Sequence, residues 1–141
     1  LVWHDSMGEA ELLAMLAHVQ RSTVARRAAA GWGGDQYVAV ERKDGAAAGV
    51  PTVVAVTVWD SEDDAEEFEE VFGEYLRTMV PDHAIDRRDD TVLFATGIPA
   101  EIDASRLLSA AWKGVHVGPR PEKPRRWRRG KTSSKKEADR E

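Results

Sequence analysis

The chain has 141 residues, of which 42% are hydrophobic. This length supports one domain with a hydrophobic core and is too short for two. The absence of cysteine excludes disulfides, thiolate zinc ligands and cysteine catalysis, and no apolar run approaches the roughly 18 residues that span a bilayer. Because the chain begins at Leu1 without a signal peptide, we expect a piece of a longer polypeptide, whose compartment, extracytoplasmic or not, is set by upstream sequence.

Charge divides the chain into two parts. Residues 1–117 carry 10 Lys and Arg against 21 Asp and Glu, a net charge of −11, whereas residues 118–141 carry 10 against 4, a net charge of +6. The second part has early prolines, and beyond them only Trp127 and Ala138 are apolar, so it cannot bury enough surface to fold. We predict one domain over 1–117, followed by a disordered basic segment over 118–141.

A cluster of basic residues surrounds one tryptophan in that basic segment. Its members are Arg125, Arg126, Trp127, Arg128 and Arg129. Such residues contact phosphates while the ring stacks on a base, so weak, nonspecific contact with nucleic acid or another anionic partner is one interpretation. The alternative is a solubilising terminus that folds back on the acidic body. Sequence-specific recognition is not supported, because no groove-reading motif accompanies the charge.

Helical and then strand patterns occupy the first 60 residues. Asp5 or Ser6 is placed to cap a first helix. Its apolar positions at the helical period are Leu12, Leu13, Leu16 and Val19. A second helical stretch runs on until Gly31 ends it. Residues 37–40 and 53–59 are rich in β-branched side chains and are predicted strands, which a short loop joins into an antiparallel hairpin.

A capping box marks the next helix. Ser61 and Asp64 stand at the required spacing of three. The apolar stripe of this helix comprises Ala65, Phe68, Phe72, Tyr75, Leu76 and Met79. After it, residues 83–87 and 91–96 form a second predicted hairpin, and Asp103 caps a short last helix.

The element order α-β-β-α-β-β-α favours an α+β fold. Short connections within each strand pair allow only antiparallel neighbours, so we predict a four-stranded, mostly antiparallel sheet with helices packed on one face. The second strand offers two alternating sets of side chains, which are Val54, Val56 and Val58, and Val53, Ala55 and Thr57. Both sets are apolar, so the sequence does not decide which one faces the helices. A partner, or the rest of the parent chain, could cover the second face.

Three glycines around one tryptophan stand between the helical pattern and the first strand. The cluster is Gly31, Trp32, Gly33, Gly34 and Asp35. Glycine reaches positive φ without steric cost, so the cluster predicts a helix stop and a tight turn, with Trp32 as a buried anchor and Asp35 bonded to nearby amides. The segment lacks the lysine of a phosphate-binding loop, and we interpret it as structural.

Side chains suited to metal binding or catalysis form no recognisable motif. Residues 60–70 contain eight acids, but the run lacks the glycine of a calcium loop and continues as a helix, which favours a solvated face with acids at the positive N-terminus. His4, His18, His83 and His116 show no metal-ligand spacing. No serine lies in a nucleophile elbow. We assign no catalytic residue, no metal ligand and no cofactor to this chain.

Three segments together resemble a known family. Residues 5–9 read D-S-M-G-E, residues 30–37 read A-G-W-G-G-D-Q-Y, and residues 58–68 read V-W-D-S-E-D-D-A-E-E-F. In this order they are similar to the D-T-L-G-E, G-W-G-G-D-R-Y and W-R-T-V-W-D-S-E-x-D-A-x-E-F motifs in the C-terminal region of bacterial and archaeal zincin-like proteins, which are related to zinc metallopeptidases. The resemblance covers residues 5–97. It departs from the pattern at Gln36 and before Val58, where arginines often stand in the family.

The resemblance implies an accessory domain. Family members often carry an upstream H-E-x-x-H helix, which supplies two zinc ligands and a general base; this chain has none, so any zinc belongs to an upstream part. We assign a structural role to Gly31, Trp32, Gly33, Gly34, Asp35, Trp59 and Asp60. Two hypotheses follow: a non-catalytic C-terminal domain packed on the upstream domain of a metallopeptidase-like protein, or a free-standing α+β binding module whose basic segment contacts anionic partners.

Overall fold

The structure, a computed structural model, describes residues 2–45 and 49–119. Within these ranges, the chain forms five strands and four helices. In order they are β1 (Val2–Asp5), α1 (Glu9–Leu16), α2 (Ser22–Ala29), β2 (Trp32–Glu41), β3 (Pro51–Trp59), α3 (Glu62–Met79), β4 (His83–Arg88), β5 (Thr91–Thr96) and α4 (Ala104–Lys113).

The strands form one antiparallel sheet in the order β1-β2-β3-β5-β4. The α+β class is confirmed, and the prediction of four strands is wrong. The additional strand is β1, an exposed edge strand in which Val2 pairs with Val40 and Asp5 pairs with Tyr37. Four residues are too few to display an alternating pattern, and Asp5 suggested a helix cap, so the sequence did not reveal this strand.

Helices α1, α2 and α3 cover one face of the sheet and enclose the main core. Ala55 and Trp59 of β3 and Phe94 of β5 belong to this core. The rings of Trp59 and Phe68 stack with centroids 4.4 Å apart, Phe68 and Phe72 stack at 4.9 Å, and Phe72 meets Phe94 edge-on at 4.6 Å. Such pairs add about 0.5–1.5 kcal/mol each to the gain from burial. The register therefore turns the alternating set that contains Ala55 toward these three helices.

Helix α4 packs on the opposite face, so the prediction that the helices share one face is wrong. Leu108 of α4 joins Leu93 and Ala95 of β5 in a second core, and Val54 and Val56 of β3 lie beside it. Each face of the central strands thus meets apolar side chains. This is the physical reason why both alternating sets are apolar and why the sequence left the register open.

Trp112 of α4 contacts two residues of the edge strand β4. The Trp112 Nε1–H group donates to Asp86 Oδ2 at 2.7 Å, and the Arg88 guanidinium lies 4.5 Å from the centre of the Trp112 ring. Arg88 also lies 3.9 Å from the Asp86 carboxylate. These contacts hold α4 over β4 and β5. Among the described elements, no helix covers β1 and β2 on this face.

Two predicted helix caps are confirmed. Ser61 Oγ accepts a hydrogen bond from the Asp64 N–H at 3.1 Å at the start of α3. Asp103 accepts bonds from the N–H groups of Ser105 and Arg106 at the start of α4. The Ser105 hydroxyl also donates to Asp103, and this hydrogen bond lowers the pKa of the Asp103 carboxyl below its ordinary value. Both caps satisfy amides that the helix itself leaves without acceptors.

No helix in residues 2–45 and 49–119 is long and apolar enough to cross a membrane. Of the basic segment predicted over 118–141, the structure describes Gly118 and Pro119. The cluster at 125–129 lies outside the described residues.

Candidate functional site

The three motif segments of the sequence meet at one end of the sheet. We call this region the motif junction and define it as residues 5–8, 31–35 and 59–64. It contains the end of β1, the start of β2, the end of β3 and the approach to α3. The Asp60 N–H donates to the Gly31 carbonyl at 2.7 Å, and Trp32 pairs with Trp59 across the two strands.

Asp35 connects the first two segments. Its carboxylate accepts hydrogen bonds from the Met7 N–H at 2.6 Å, the Gly8 N–H at 2.8 Å and the Ser6 hydroxyl at 3.1 Å. Gly8 is the N-cap residue of α1 and has no side chain, so Asp35 supplies the negative charge that the helix N-terminus favours. The prediction that Asp5 or Ser6 caps α1 is wrong. Asp35 bonds to amides as predicted, but these are not nearby in sequence, because its partners lie 27–29 residues away.

Two glycines of the motif, Gly31 and Gly33, allow a close approach of neighbouring atoms. Gly31 has φ +86°, and a Cβ atom there would lie 2.6 Å from Asp64 Cγ. A Cβ at Gly33 would lie 3.0 Å from the Val58 carbonyl oxygen. The predicted helix stop is confirmed, because α2 ends at Ala29 and is followed by a turn at residues 30 and 31. The turn does not extend through the rest of the cluster, because Gly33 and Gly34 belong to β2, where the register shifts between Trp32 and Gly34. A β-bulge accounts for the local glycine content as well as a turn would.

The two tryptophans of the motif junction are buried to different degrees. Trp59 is fully buried, and its Nε1–H donates to Thr57 Oγ1 at 2.9 Å. Thr57 in turn donates to the Val92 carbonyl at 3.3 Å. Trp32 is half-buried and packs against the main core, so it is less enclosed than the predicted anchor. Asp60 is exposed at the surface of the junction.

The acidic run forms a solvated face of α3 that is partly paired with arginines. Glu67 forms an ion pair with Arg27 of α2, and Glu69 accepts from Arg87 Nε of β4 at 2.9 Å. The bond to Glu69 raises the pKa of the Arg87 guanidinium above its ordinary value. In the part of the chain that the structure describes, no group of three or more His, Asp or Glu side chains is arranged to hold a metal ion.

A large groove lies on the sheet face that α4 only partly covers. We call it the valine groove; its volume is about 1150 Å³. The floor consists of alternate residues of β2 and β3 together with one residue of β5, and the walls come from the loop before α4, from α4 and from the segment after it. Floor residues are Gln36, Val38, Val40, Thr52, Val54, Val56, Val58 and Leu93, and apolar wall residues are Pro99, Ile102, Leu107, Ala111, Val115, Val117 and Pro119.

An ion pair lies at one end of the groove. Arg42, which follows β2, donates to Glu101 in the loop before α4. This hydrogen bond lowers the pKa of the Glu101 carboxyl below its ordinary value. At the opposite end, Gln36 and Gly34 lead into the motif junction, while His4 of β1 lies beside Val38 along the edge.

The valine groove was not predicted from the sequence. The sequence feature that could have indicated it is the valines at alternate positions of both strands. In the structure, Val38 lies opposite Val54, and Val40 and Val56 extend the same row. Alternation in the second strand indicated an apolar second face. What could not be read from the sequence is that α4 lies over β4 and β5 and leaves this half of the face open.

The fold and the groove define a class of protein: an α+β domain with a five-stranded antiparallel sheet, helices on both faces and an open apolar groove on one of them. The chain belongs to a family described as a domain of unknown function (DUF8575), which matches residues 2–111. The match extends from β1 into α4. No curated protein and no solved structure matches the chain.

Proposed function

We propose that this chain is a non-catalytic accessory domain of a zincin-like, metallopeptidase-related protein, and that its role is interaction rather than chemistry. The three sequence motifs support the family relationship. The contacts of Asp35 support the non-catalytic role, because three bonds to residues 6–8 occupy its carboxylate. A general base must reach a substrate proton, whereas this carboxylate is committed to the α1 N-terminus.

The glycine contacts support the same proposal. Gly31 lies against the Asp64 side chain and Gly33 against the Val58 carbonyl, so the motif packs closely on its neighbours and leaves little room for a substrate between them. The motif residues therefore serve the scaffold. Interaction would then use a surface away from the motif junction, and the valine groove is a large concave apolar surface of this kind.

Zinc content and the gene sequence test the proposal. After dialysis against a weak chelator, we expect the purified chain to hold no stoichiometric zinc and to cleave no peptide, because its described residues offer no clustered ligands. One zinc ion retained per chain would contradict the non-catalytic role. In the gene, we expect an in-frame H-E-x-x-H upstream of Leu1; a start codon immediately before Leu1 would contradict the accessory role.

The second candidate is a free-standing binding module. The charge distribution favours it, since a body of net −11 is joined to a segment of net +6 that concentrates arginine around Trp127. In this case the basic segment would contact anionic partners without sequence preference. The two candidates differ in what stands upstream of Leu1, and both assign an interaction role to the domain.

A further inference from the structure

The floor of the valine groove exposes more apolar surface than a sheet face that is covered by helices would. Val38 is 39% exposed and Val40 is 40% exposed, although both lie inside β2 between paired strands. On the other face of the same strand, Ala39 is 1% exposed. Contiguous apolar surface of this kind marks a place where something binds.

The size of the floor distinguishes between classes of occupant. The row from Thr52 to Val58 spans about 20 Å along the strand, and two strands are about 10 Å wide, which gives an area of about 200 Å². A stable protein interface buries about 800 Å² on each partner. The groove volume of about 1150 Å³, by contrast, lies slightly above the range of roughly 300–1,000 Å³ that is usual for small-molecule sites. The floor is small for a protein partner and large enough for a small molecule.

The charged side chains that line the groove indicate whether that molecule is charged or neutral. Among the described residues that line the groove, Asp35 is the one acidic side chain and Arg42 is the one Lys or Arg side chain. Asp35 is bonded to the α1 N-terminus, and Arg42 is paired with Glu101. Among the described lining residues, a charged ligand would therefore find no Asp or Arg counter-ion without breaking one of these contacts, and burying an unpaired charge is costly.

We propose that the valine groove binds a neutral, elongated apolar molecule, of the class of long-chain alcohols, esters or isoprenoids. The chain of the ligand lies along the valines of β2 and β3 and against Leu107 and Ala111 of α4. An uncharged polar end would accept or donate hydrogen bonds at Gln36 or His4. This inference rests on the proposed interaction role of the domain, and it does not depend on the metallopeptidase relationship.

Fluorescence titration of the full chain with the neutral probe N-phenyl-1-naphthylamine tests the proposal. We expect saturable binding, and displacement by dodecanol at concentrations at least about tenfold lower than by laurate, because laurate adds a charge that must be desolvated. Absence of saturable binding, or equal displacement by the alcohol and the carboxylate, would overturn the proposal. The zinc content and the gene sequence test the accessory role, and their outcomes do not depend on whether the probe binds.

Matched glutamate variants locate the site. Val38→Glu and Val40→Glu place a charge on the floor, whereas Val50→Glu places one at a residue that is 55% exposed and does not line the groove. We expect the floor variants to weaken probe binding at least about tenfold and Val50→Glu to leave it unchanged. Two floor variants are used so that one well-folded protein remains if the other loses its near-ultraviolet circular dichroism.

Three results would assign the groove differently and overturn the proposal. The first is equal probe binding by the floor variants and Val50→Glu. The second is a wild-type dimer in analytical ultracentrifugation that Val38→Glu dissociates, which would identify a second copy of the chain as the occupant. The third is probe binding that appears only in Trp127→Ala, which would assign the groove to the basic segment of the chain.

Discussion

At two positions of the motif junction, the absence of a side chain matters as much as the hydrogen bonds that other residues of the junction form. At Gly31 a side chain would meet both a positive φ and the Asp64 carboxyl group, and at Gly33 it would meet a backbone carbonyl. The sequence predicted the need for glycine here correctly at Gly31. It could not predict that Asp35 bonds to residues 6–8, because nothing local in the sequence identifies partners 27–29 positions away.

Gly31→Ala should destabilise the domain by more than Gly45→Ala does. Gly45 has φ +96°, and a Cβ atom at this position would have no described neighbour within 4 Å, so its variant carries the left-handed strain of about 1–2 kcal/mol alone. Gly31 shares that strain and adds a Cβ 2.6 Å from Asp64 Cγ. Urea unfolding of both variants measures the difference. Equal losses would show that Asp64 moves away without cost.

At the scale of elements, the sequence predicted those with strong local signals. Helices α3 and α4 begin at their predicted caps, and the hairpin of β4 and β5 forms where the apolar runs predicted it. Strand β1 and the position of α4 were missed for a different reason. A four-residue edge strand is defined by its pairing with β2, and the face on which α4 packs is defined by tertiary contacts of Trp112.

Trp112→Phe should loosen α4 without disturbing the main core. The variant removes the donor to Asp86 and weakens the contact with Arg88, so we expect a loss of about 1–2 kcal/mol in the free energy of unfolding. Trp3→Phe serves as the control, because Trp3 is 38% exposed on the edge strand. A double-mutant cycle with Asp86→Ala measures the coupling directly. Coupling near zero would mean that α4 is held by its apolar contacts alone.

The whole molecule combines an acidic folded body with a basic segment that lies largely outside the described residues. Charge on this scale governs association more than folding. The charge division follows from residue counts alone, and the sequence therefore predicted it. The valine groove could not be predicted in this way, because it depends on how two elements distant in sequence, β2 and α4, are placed relative to each other.

Binding to single-stranded DNA should be weak, independent of sequence and strongly reduced by salt. Only phosphate neutralisation by the basic segment is available, so changing Arg125, Arg126, Arg128 and Arg129 to Gln should reduce the salt slope by up to about 3, at about 0.7 per contact. A control with the same charge loss changes Lys131, Lys135, Lys136 and Arg140 to Gln. A smaller effect of the control would indicate that the cluster around Trp127 makes the contacts. Binding that persists unchanged in the first variant would contradict this prediction.

The bonds of Asp35 also have a consequence for the order of events during folding. Helix α1 is synthesised before β2, yet the carboxylate that bonds the amides of Met7 and Gly8 at its N-terminus comes from β2, 28 and 27 residues later. Short isolated helices of this length are marginal in water. Helix α1 should therefore become stable only after β2 has joined the sheet, so that the first helix of this domain to be synthesised is among the last to be completed.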